Sequence, residues 1–186
     1  GKKLVGYEAL VRWHDAELGF VAPDIFVAVA EAVNLGKKLD CWVIKTALQQ
    51  IKLWRQAGLQ PQPVAVNITA KHFSDQALHS YVITKLQLME LPAECLQLEI
   101  TEGVAMDNSP AILENLNAFR NAGIKVAIDD FGTGYSSLSY LTSLPIDFIK
   151  IDKTFVQALE NGNNLSLVKA MLAMAQAIGV AVIAEG

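Results

Sequence analysis

The chain has 186 residues, of which 52% are hydrophobic and 18% charged, and its formal net charge at pH 7 is −4. A chain this apolar can bury enough surface to offset the conformational entropy lost on folding, which excludes an intrinsically disordered protein. The mildly acidic balance argues against a surface that binds DNA or RNA duplexes.

Two further features bear on where the protein works. The longest nearly apolar run, residues 170–184, is interrupted by Gln176 and Gly179 and is shorter than the roughly 18 residues that a membrane-spanning helix needs. The two cysteines, Cys41 and Cys95, are too few for a disulfide framework. We therefore expect a reduced, cytoplasmic domain.

The first third of the chain is predicted to contain two strands and two helices. Residues 4–13 have the bulky, alternating character of a strand. Pro23 opens a helix with apolar residues at helical spacing, and Gly36 is expected to cap its end. A second helix follows and ends before Gly58, and residues 64–69 are typical of a buried strand.

Strands and helices continue to alternate in the rest of the chain. Ser74 or Asp75 is expected to cap a helix that reaches Leu91, and a later helix starts at residues 108–110 and ends at Gly123. Asp152 is expected to cap a helix that begins near Lys153. Further strands are predicted at residues 96–102, 124–130, 148–152 and 180–185, with a helix over residues 165–178.

A polar residue stands near the end of five successive predicted strands, namely Asn67, Glu99, Asp129, Lys150 and Glu185. The gaps between them are 32, 30, 21 and 35 residues. A strand with its crossover helix takes about 30 residues. This rhythm predicts consecutive βα units around a parallel sheet, in one domain over residues 1–186.

Buried parallel strands are normally apolar throughout, so polar side chains at their ends are unusual. The carboxyl ends of such strands are also where the active sites of α/β folds lie. Because side chains alternate along a strand, we expect Glu8, Leu10 and Arg12 on one face of the first strand. The side chains that converge are predicted to be those of Glu8, Asn67, Glu99, Asp129, Asp130, Lys150 and Glu185.

Five carboxylates brought together would repel one another unless cations held them. Carboxylate and amide oxygens suit Mg²⁺ or Mn²⁺, and adjacent Asp129 and Asp130 could share two ions. Two such ions about 4 Å apart activate water for in-line displacement at phosphorus. Lys150 would orient or deprotonate that water or neutralise a phosphate oxygen, and Arg12 would grip a phosphate.

The ordered motifs resemble those of the EAL domain, a family of bacterial phosphodiesterases that linearise cyclic di-GMP to pGpG. The resemblance spans the whole chain. Its motifs, in chain order, are EAL with VRW (residues 8–13), Asn67, LEITE (98–102), DDFGTGY (129–135), KID (150–152) and a terminal AEG (184–186).

This resemblance implies a fold and a metal site. The fold would be a modified TIM-type (β/α)8 barrel whose first strand runs antiparallel to the others. The chain would cover about six of its strands, because the family continues beyond both ends. Two Mg²⁺ or Mn²⁺ ions would be held, the first by Glu8, Asn67, Glu99 and Asp129 and the second by Asp129 and Asp130 with support from Glu185.

Catalytic and substrate-binding roles are implied in the same way. Lys150, Glu102 and Glu185 would serve catalysis, with Lys150 assisting the water and Glu102 anchoring the DDFGTG loop. From the residues alone, Glu102 could be a metal ligand. Because it points away from Glu99 or lies past the end of the strand, a supporting or loop-anchoring role is favoured. Leu10 and Arg12 would contact cyclic di-GMP.

The resemblance further implies a homodimer, fusion to sensory or diguanylate cyclase modules, and an active site in the cytoplasm or on the cytoplasmic side of the inner membrane. Two other functions remain open. A receptor domain would bind cyclic di-GMP without hydrolysing it, although such receptors usually lose ligand residues. The second alternative, considered without the family resemblance, is an enolase-like enzyme in which Lys150 is the base. The paired aspartates and Arg12 favour phosphate chemistry over this alternative.

Overall fold

Six parallel strands form a curled half-barrel in the computed structural model, which describes residues 3–107, 109–134, 138–160 and 164–185. The strands are β1 (Tyr7–Ala9), β2 (Trp13–Asp15), β3 (Gly19–Val21), β4 (Val64–Asn67), β5 (Leu96–Thr101), β6 (Lys125–Phe131), β7 (Phe148–Ile151) and β8 (Ala181–Ala184). The sheet runs in the order β1-β4-β5-β6-β7-β8, and each of its pairings is parallel. The antiparallel pairing is in the separate ribbon of β2 and β3.

Helices follow the strands of the sheet and cover its outer face. They are α1 (Pro23–Ala32), α2 (Gly36–Gln56), α3 (Ala70–Phe73), α4 (Ala77–Met89), α5 (Glu102–Ala105), α6 (Pro110–Ala122), α7 (Leu138–Leu141), α8 (Lys153–Glu160) and α9 (Leu165–Ile178). The predicted α/β architecture with about six barrel strands is confirmed. Within the described ranges, no helix is long and apolar enough to span a membrane.

One continuous hydrophobic cluster lies between the sheet and these helices. On α2, Ile44, Leu48 and Ile51 are fully buried because their spacing places them on the face that meets the sheet. Leu98 and Ile100 of β5 are buried against the same cluster. Since side chains alternate along β5, the intervening Glu99 points to the opposite, inner face of the half-barrel.

The predicted strand over residues 4–13 is wrong in its extent. Strand β1 ends at Ala9 because its partner β4 pairs with it only through Val66. The chain then turns into the ribbon, where Trp13 pairs with Val21. Leu10 and Arg12 therefore do not continue the strand face that begins at Glu8.

The prediction that Gly36 caps the end of α1 is wrong, because Gly36 is the first residue of α2. Helix α1 has already ended at Ala32, and Asn34 takes the left-handed conformation with φ 59°. A Cβ on Gly36 would lie 3.4 Å from both the Cγ of Glu31 and the Oγ1 of Thr69. The glycine is thus explained by close packing at the start of α2.

Several predicted helix boundaries agree with the structure. Pro110 begins α6, and Gly123 follows that helix with φ 84°. Asn108 of the predicted helix start lies outside the described residues, as do Tyr135 and Gly186 of the family motifs. Asp152 accepts a hydrogen bond from the amide of Thr154 at the start of α8. The segment after β4 forms two helices, α3 and α4, where a single helix was predicted.

Candidate active site

Lys150 lies at the centre of the predicted site, on β7 inside the half-barrel. Its Nζ is 2.7 Å from Glu185, 2.8 Å from Glu99, 3.1 Å from Asp129 and 3.4 Å from Glu8. These four carboxylates come from β5, β6, β1 and the residue after β8. The strand ends therefore bring together side chains that are remote in sequence, such as Lys150 and Glu8, which are 142 residues apart.

The surrounding carboxylates keep Lys150 protonated. The residue is only 4% exposed, and burial alone would favour the neutral amine. The hydrogen bonds to Glu185 and Glu99 outweigh that effect and raise the pKa of Lys150 well above its ordinary value. Lys150 is therefore a buried cation that neutralises part of the acidic cluster.

Glu99 is the most deeply buried of these carboxylates, with 2% of its surface exposed. Burial raises its pKa to about 7, and the negative charges of Glu8 and Asp129 act in the same direction, although Lys150 opposes the shift. Gln97 lies two residues before Glu99 on the same face of β5 and donates a hydrogen bond to it at 3.4 Å. The sequence prediction left Gln97 out of the site, although its shared parity with Glu99 places it there.

Asn67 completes one side of the cluster. Its Nδ2 donates a hydrogen bond to Glu8 at 3.0 Å, and Asn67 stands opposite Glu99 in the register of β4 and β5. The amide of the following residue, Ile68, donates to the carbonyl of Glu99 at 2.9 Å. The amide side chain of Asn67 thus lies beside two of the predicted metal-binding carboxylates.

Asp129 and Asp130 are adjacent on β6, yet both face the site. In a regular strand they would point to opposite faces. The register of β6 against β7 shifts between Ile128 and Phe131, and Asp130 takes the left-handed conformation with φ 53°. This irregularity re-aims the second carboxylate, as β-bulges do near active sites, so that both aspartates have an oxygen near Glu185.

Glu102 lies just outside the cluster and holds the loop after β6. Its Oε2 accepts hydrogen bonds from the amides of Gly132 at 2.9 Å and Gly134 at 3.1 Å. A Cβ on Gly134 would come within 3.2 Å of the Glu102 carboxylate. These contacts fit the loop-anchoring role that the family resemblance implies.

Leu10 and Arg12 are exposed at the rim rather than part of the cluster. Nη1 of Arg12 donates to the carbonyl of Val11 at 2.8 Å. Both residues line a cavity of 520 Å³ whose wall also includes Asn67, Glu99 and Asp130. The cavity connects the predicted substrate-binding residues with the acidic cluster.

A family model described as the EAL domain matches residues 1–186. The chain belongs to the EAL domain family. The cyclic di-GMP phosphodiesterase PdeR of Escherichia coli K12 is 40% identical to this EAL domain over 180 residues, which are 96% of this chain and 27% of that protein. The oxygen sensor protein DosP of the same organism is 36% identical over 185 residues, 99% of this chain and 23% of that protein.

Solved structures agree with this assignment. The PaMucR phosphodiesterase in complex with c-di-GMP has a TM-score of 0.92 and 35% identity to this EAL domain, over 99% of this chain and 75% of that one. The FimX EAL domain of Pseudomonas aeruginosa bound to c-di-GMP has a TM-score of 0.85 at 24% identity, over 96% and 72% of the two chains, and supports the fold alone. The chain spans about a quarter to a third of the length of the curated relatives it matches.

The donor atoms of this EAL domain fit hard divalent cations. Glu8, Glu99 and Asp129 have carboxylate oxygens within 4.8 Å of one another, and so do Asp129, Asp130 and Glu185. Asp129 belongs to both groups, as a residue that bridges two ions would. The two groups together hold five carboxylates, four of which pair with Lys150. An excess of negative charge therefore remains for cations to neutralise.

Proposed function

We propose that this EAL domain hydrolyses cyclic di-GMP to linear pGpG with the help of two Mg²⁺ or Mn²⁺ ions. The observation that carries the proposal is the pair of carboxylate groups that share Asp129 and surround Lys150. Relatives named for cyclic di-GMP, PdeR and PaMucR, support the choice of substrate.

Each predicted ligand has a place in this proposal. Glu8, Asn67, Glu99 and Asp129 would hold one ion, and Asp129, Asp130 and Glu185 the other. Bound ions would supply positive charge that lowers the pKa of a water molecule and offsets the charge of the phosphodiester. Without such charge, an acidic cavity would repel an anionic dinucleotide.

The protein's own groups would orient the reactants. Lys150, held protonated by Glu185 and Glu99, would donate a hydrogen bond to the attacking water or to a phosphate oxygen rather than accept its proton. The guanidinium of Arg12 would leave its contact with the Val11 carbonyl to bind a phosphate, and Leu10 would pack against the nucleotide. Glu102 would keep the Gly132–Gly134 loop in position beside the ions.

The decisive experiment incubates the protein with cyclic di-GMP and Mg²⁺ or Mn²⁺ and separates the nucleotides by chromatography. Formation of pGpG supports the proposal. Binding of cyclic di-GMP without pGpG would instead make the domain a receptor, and absence of both would reject the two functions together.

An Asp129→Asn variant tests the shared ligand. The change keeps the side-chain volume and removes the carboxylate common to both metal groups, so we expect turnover to fall more than about a hundredfold, beyond the loss typical of a residue that only supports a ligand. Asp147→Asn is the matched control, because Asp147 accepts the Val126 amide at the opposite ends of the strands. Turnover retained in Asp129→Asn would contradict the two-metal assignment.

The assembly of the protein is part of the same proposal. We infer a homodimer, fusion to sensory or diguanylate cyclase modules, and a cytoplasmic location of the site, since cyclic di-GMP is an intracellular messenger of the family. Light scattering of the purified protein tests the dimer, and a monomer with full activity would contradict it.

A further inference from the structure

A buried carboxylate outside the acidic cluster, that of Asp40, remains without a role in the proposed chemistry. Asp40 is 4% exposed and lies one turn before Ile44 on the face of α2 that packs against the sheet. An apolar residue would satisfy that face, and a buried carboxylate is costly unless hydrogen bonds compensate it. The position therefore calls for an explanation by what the carboxylate binds.

One oxygen of Asp40 accepts hydrogen bonds from three donors, all in the segment that follows β4. The Oδ2 atom lies 3.0 Å from the amide and 2.7 Å from the hydroxyl of Thr69, and 3.1 Å from Nδ1 of His72. Thr69 immediately precedes α3, and its own side chain does not cap that helix. Asp40 thus supplies from α2 the acceptor that holds the β4–α3 junction.

This junction carries Asn67, two residues before Thr69. The Ile68 amide is bonded to the Glu99 carbonyl on one side, and Thr69 is bonded to Asp40 on the other. Both anchored residues directly follow Asn67 in the chain and so restrict its backbone, and its Nδ2 lies 3.0 Å from Glu8. Asp40 and Asn67 also line the same 520 Å³ cavity.

We propose that Asp40 is a positioning residue that fixes Asn67 for metal binding by holding the backbone and hydroxyl of Thr69. The inference rests on the proposed two-metal site, and Asp40 belongs to neither of the two carboxylate groups that would hold the ions. Residues that do not touch a metal but hold one of its ligands in position commonly lower the metal affinity about 10- to 100-fold when they are removed.

Calorimetric titration with Mn²⁺ tests the proposal without any need for turnover. Asp40→Ala is expected to raise the Mn²⁺ dissociation constant about 10- to 100-fold. Asp40→Asn, whose amide oxygen can still accept from Thr69, is expected to recover most of the affinity. Asp147→Ala removes another acceptor of a backbone amide, at the far ends of β6 and β7, and is expected to lower the melting temperature without changing Mn²⁺ affinity.

A double-mutant cycle separates positioning from general destabilisation. If Asp40 acts through Asn67, Asp40→Ala weakens Mn²⁺ binding in the wild type but has no further effect in an Asn67→Ala background. An unchanged Mn²⁺ affinity in Asp40→Ala, or a loss that persists in full without the Asn67 side chain, overturns the proposal.

A gentler pair of variants covers the case in which Asp40→Ala does not fold. Thr69→Val keeps the shape but loses the hydroxyl bonded to Asp40, whereas Thr69→Ser keeps the hydroxyl. We expect weaker Mn²⁺ binding in the valine variant alone, and equal affinities overturn the proposal. A protein that binds Mn²⁺ in this Asp40-dependent way but forms no pGpG refutes hydrolysis only, and a wild type that does not bind Mn²⁺ refutes both proposals.

Discussion

Lys150 is the residue on which the electrostatics of the site depend. Its ammonium group lies within 3.4 Å of four carboxylates, and the charges compensate one another's burial. Such a cluster is sensitive to the loss of its cation, because the remaining buried carboxylates then have no counter-charge. The same excess of negative charge would favour divalent cations.

Replacement of Lys150 by methionine tests this balance. The variant keeps the length of the side chain but removes its charge, so we expect the free energy of unfolding to fall by about 3 kcal/mol. This value is at the lower end for a broken buried ion pair, because Glu8 and Glu185 are partly exposed. Mn²⁺ should stabilise the variant more than the wild type, since it supplies the missing charge. Urea denaturation with and without Mn²⁺ measures both effects.

Lys37→Met is the control for that experiment. Lys37 pairs with Asp75 at the surface, with half of its side chain exposed, so its loss should cost less than about 1 kcal/mol. Equal destabilisation of the two variants would contradict the central role given to Lys150. We also expect Lys150→Met to lower turnover while it still binds Mn²⁺.

Individual elements depend on a few contacts at their ends, and α4 is an example. Asp75 accepts the amide of Ala77, the first residue of that helix, at 2.9 Å and pairs with Lys37 at 2.6 Å. The hydrogen bond from Lys37 lowers the pKa of Asp75 below its ordinary value of 3.8, and the bond from the Ala77 amide adds a smaller shift in the same direction. The ionised side chain therefore stabilises the folded state.

Asp75→Ala is expected to cost about 1 kcal/mol at neutral pH, which is typical for the loss of a side chain at a helix start. Because the folded-state pKa is lowered, the contribution of Asp75 is present above pH 3.8 and is lost as the pH falls below it. The stability difference between wild type and variant should therefore shrink in acid. Denaturation series at pH 7 and pH 3 measure it, with the uncharged, half-buried neighbour Ser74→Ala as control for effects that do not depend on charge. A difference independent of pH would contradict the role of the charge.

The loop after β6 depends on a different constraint, the absence of a side chain at Gly132. Gly132 has φ +102°, and a Cβ there would clash with Met171 of α9 and lie 2.8 Å from Phe155 of α8. The loop that Glu102 holds is thus packed directly against two helices. A side chain at this position would displace the loop from its place beside Asp130.

Gly132→Ala is expected to destabilise the protein by about 1–3 kcal/mol, the usual cost of a strained backbone conformation. Gly103 is the matched control, because it lies in α5 and a Cβ added there would meet no neighbouring atom within 4 Å, so an alanine should be neutral or slightly stabilising. Thermal unfolding of both variants distinguishes them. Equal melting temperatures would show that the loop accommodates the methyl group.

At the scale of the whole molecule, a continuous hydrophobic cluster joins the described strands and helices, and Cys95 belongs to it. Cys95 is 8% exposed, and burial raises the pKa of its thiol to about 11. The reactive thiolate of Cys95 is therefore scarce in the folded protein at neutral pH. Cys41 is only partly buried.

Thiol labelling at pH 8 should consequently distinguish the two cysteines. We expect Cys41 to react first and Cys95 to react only as fast as the whole domain opens, with a rate that rises with urea in parallel with global unfolding. Mass spectrometry of labelled peptides follows both sites, and the unfolded protein provides the reference rates. Rapid labelling of Cys95 in the absence of urea would show that this part of the core opens separately.

Local features of the sequence were enough to predict much of this architecture. Pro110 and Gly123 bound α6 as predicted, because proline and glycine act through their own backbone preferences. The apolar strands were found by their composition, and the polar residue near each strand end indicated where the site lies. The family motifs then assigned roles to those residues, and these assignments remain predictions.

Long-range pairing decided the rest. Strand β1 stops pairing at Ala9, opposite Val66, although β4 itself continues to Asn67. Asp130 joins Asp129 at the site because β6 shifts its register against β7. The contacts of Lys150 with Glu8 and of Asp40 with Thr69 join residues 142 and 29 positions apart. The sequence by itself determined which chemical groups the protein possesses and the approximate order of its strands and helices. Only the tertiary structure decided which of these groups meet and how deeply each is buried, because both depend on chain segments that are remote in sequence.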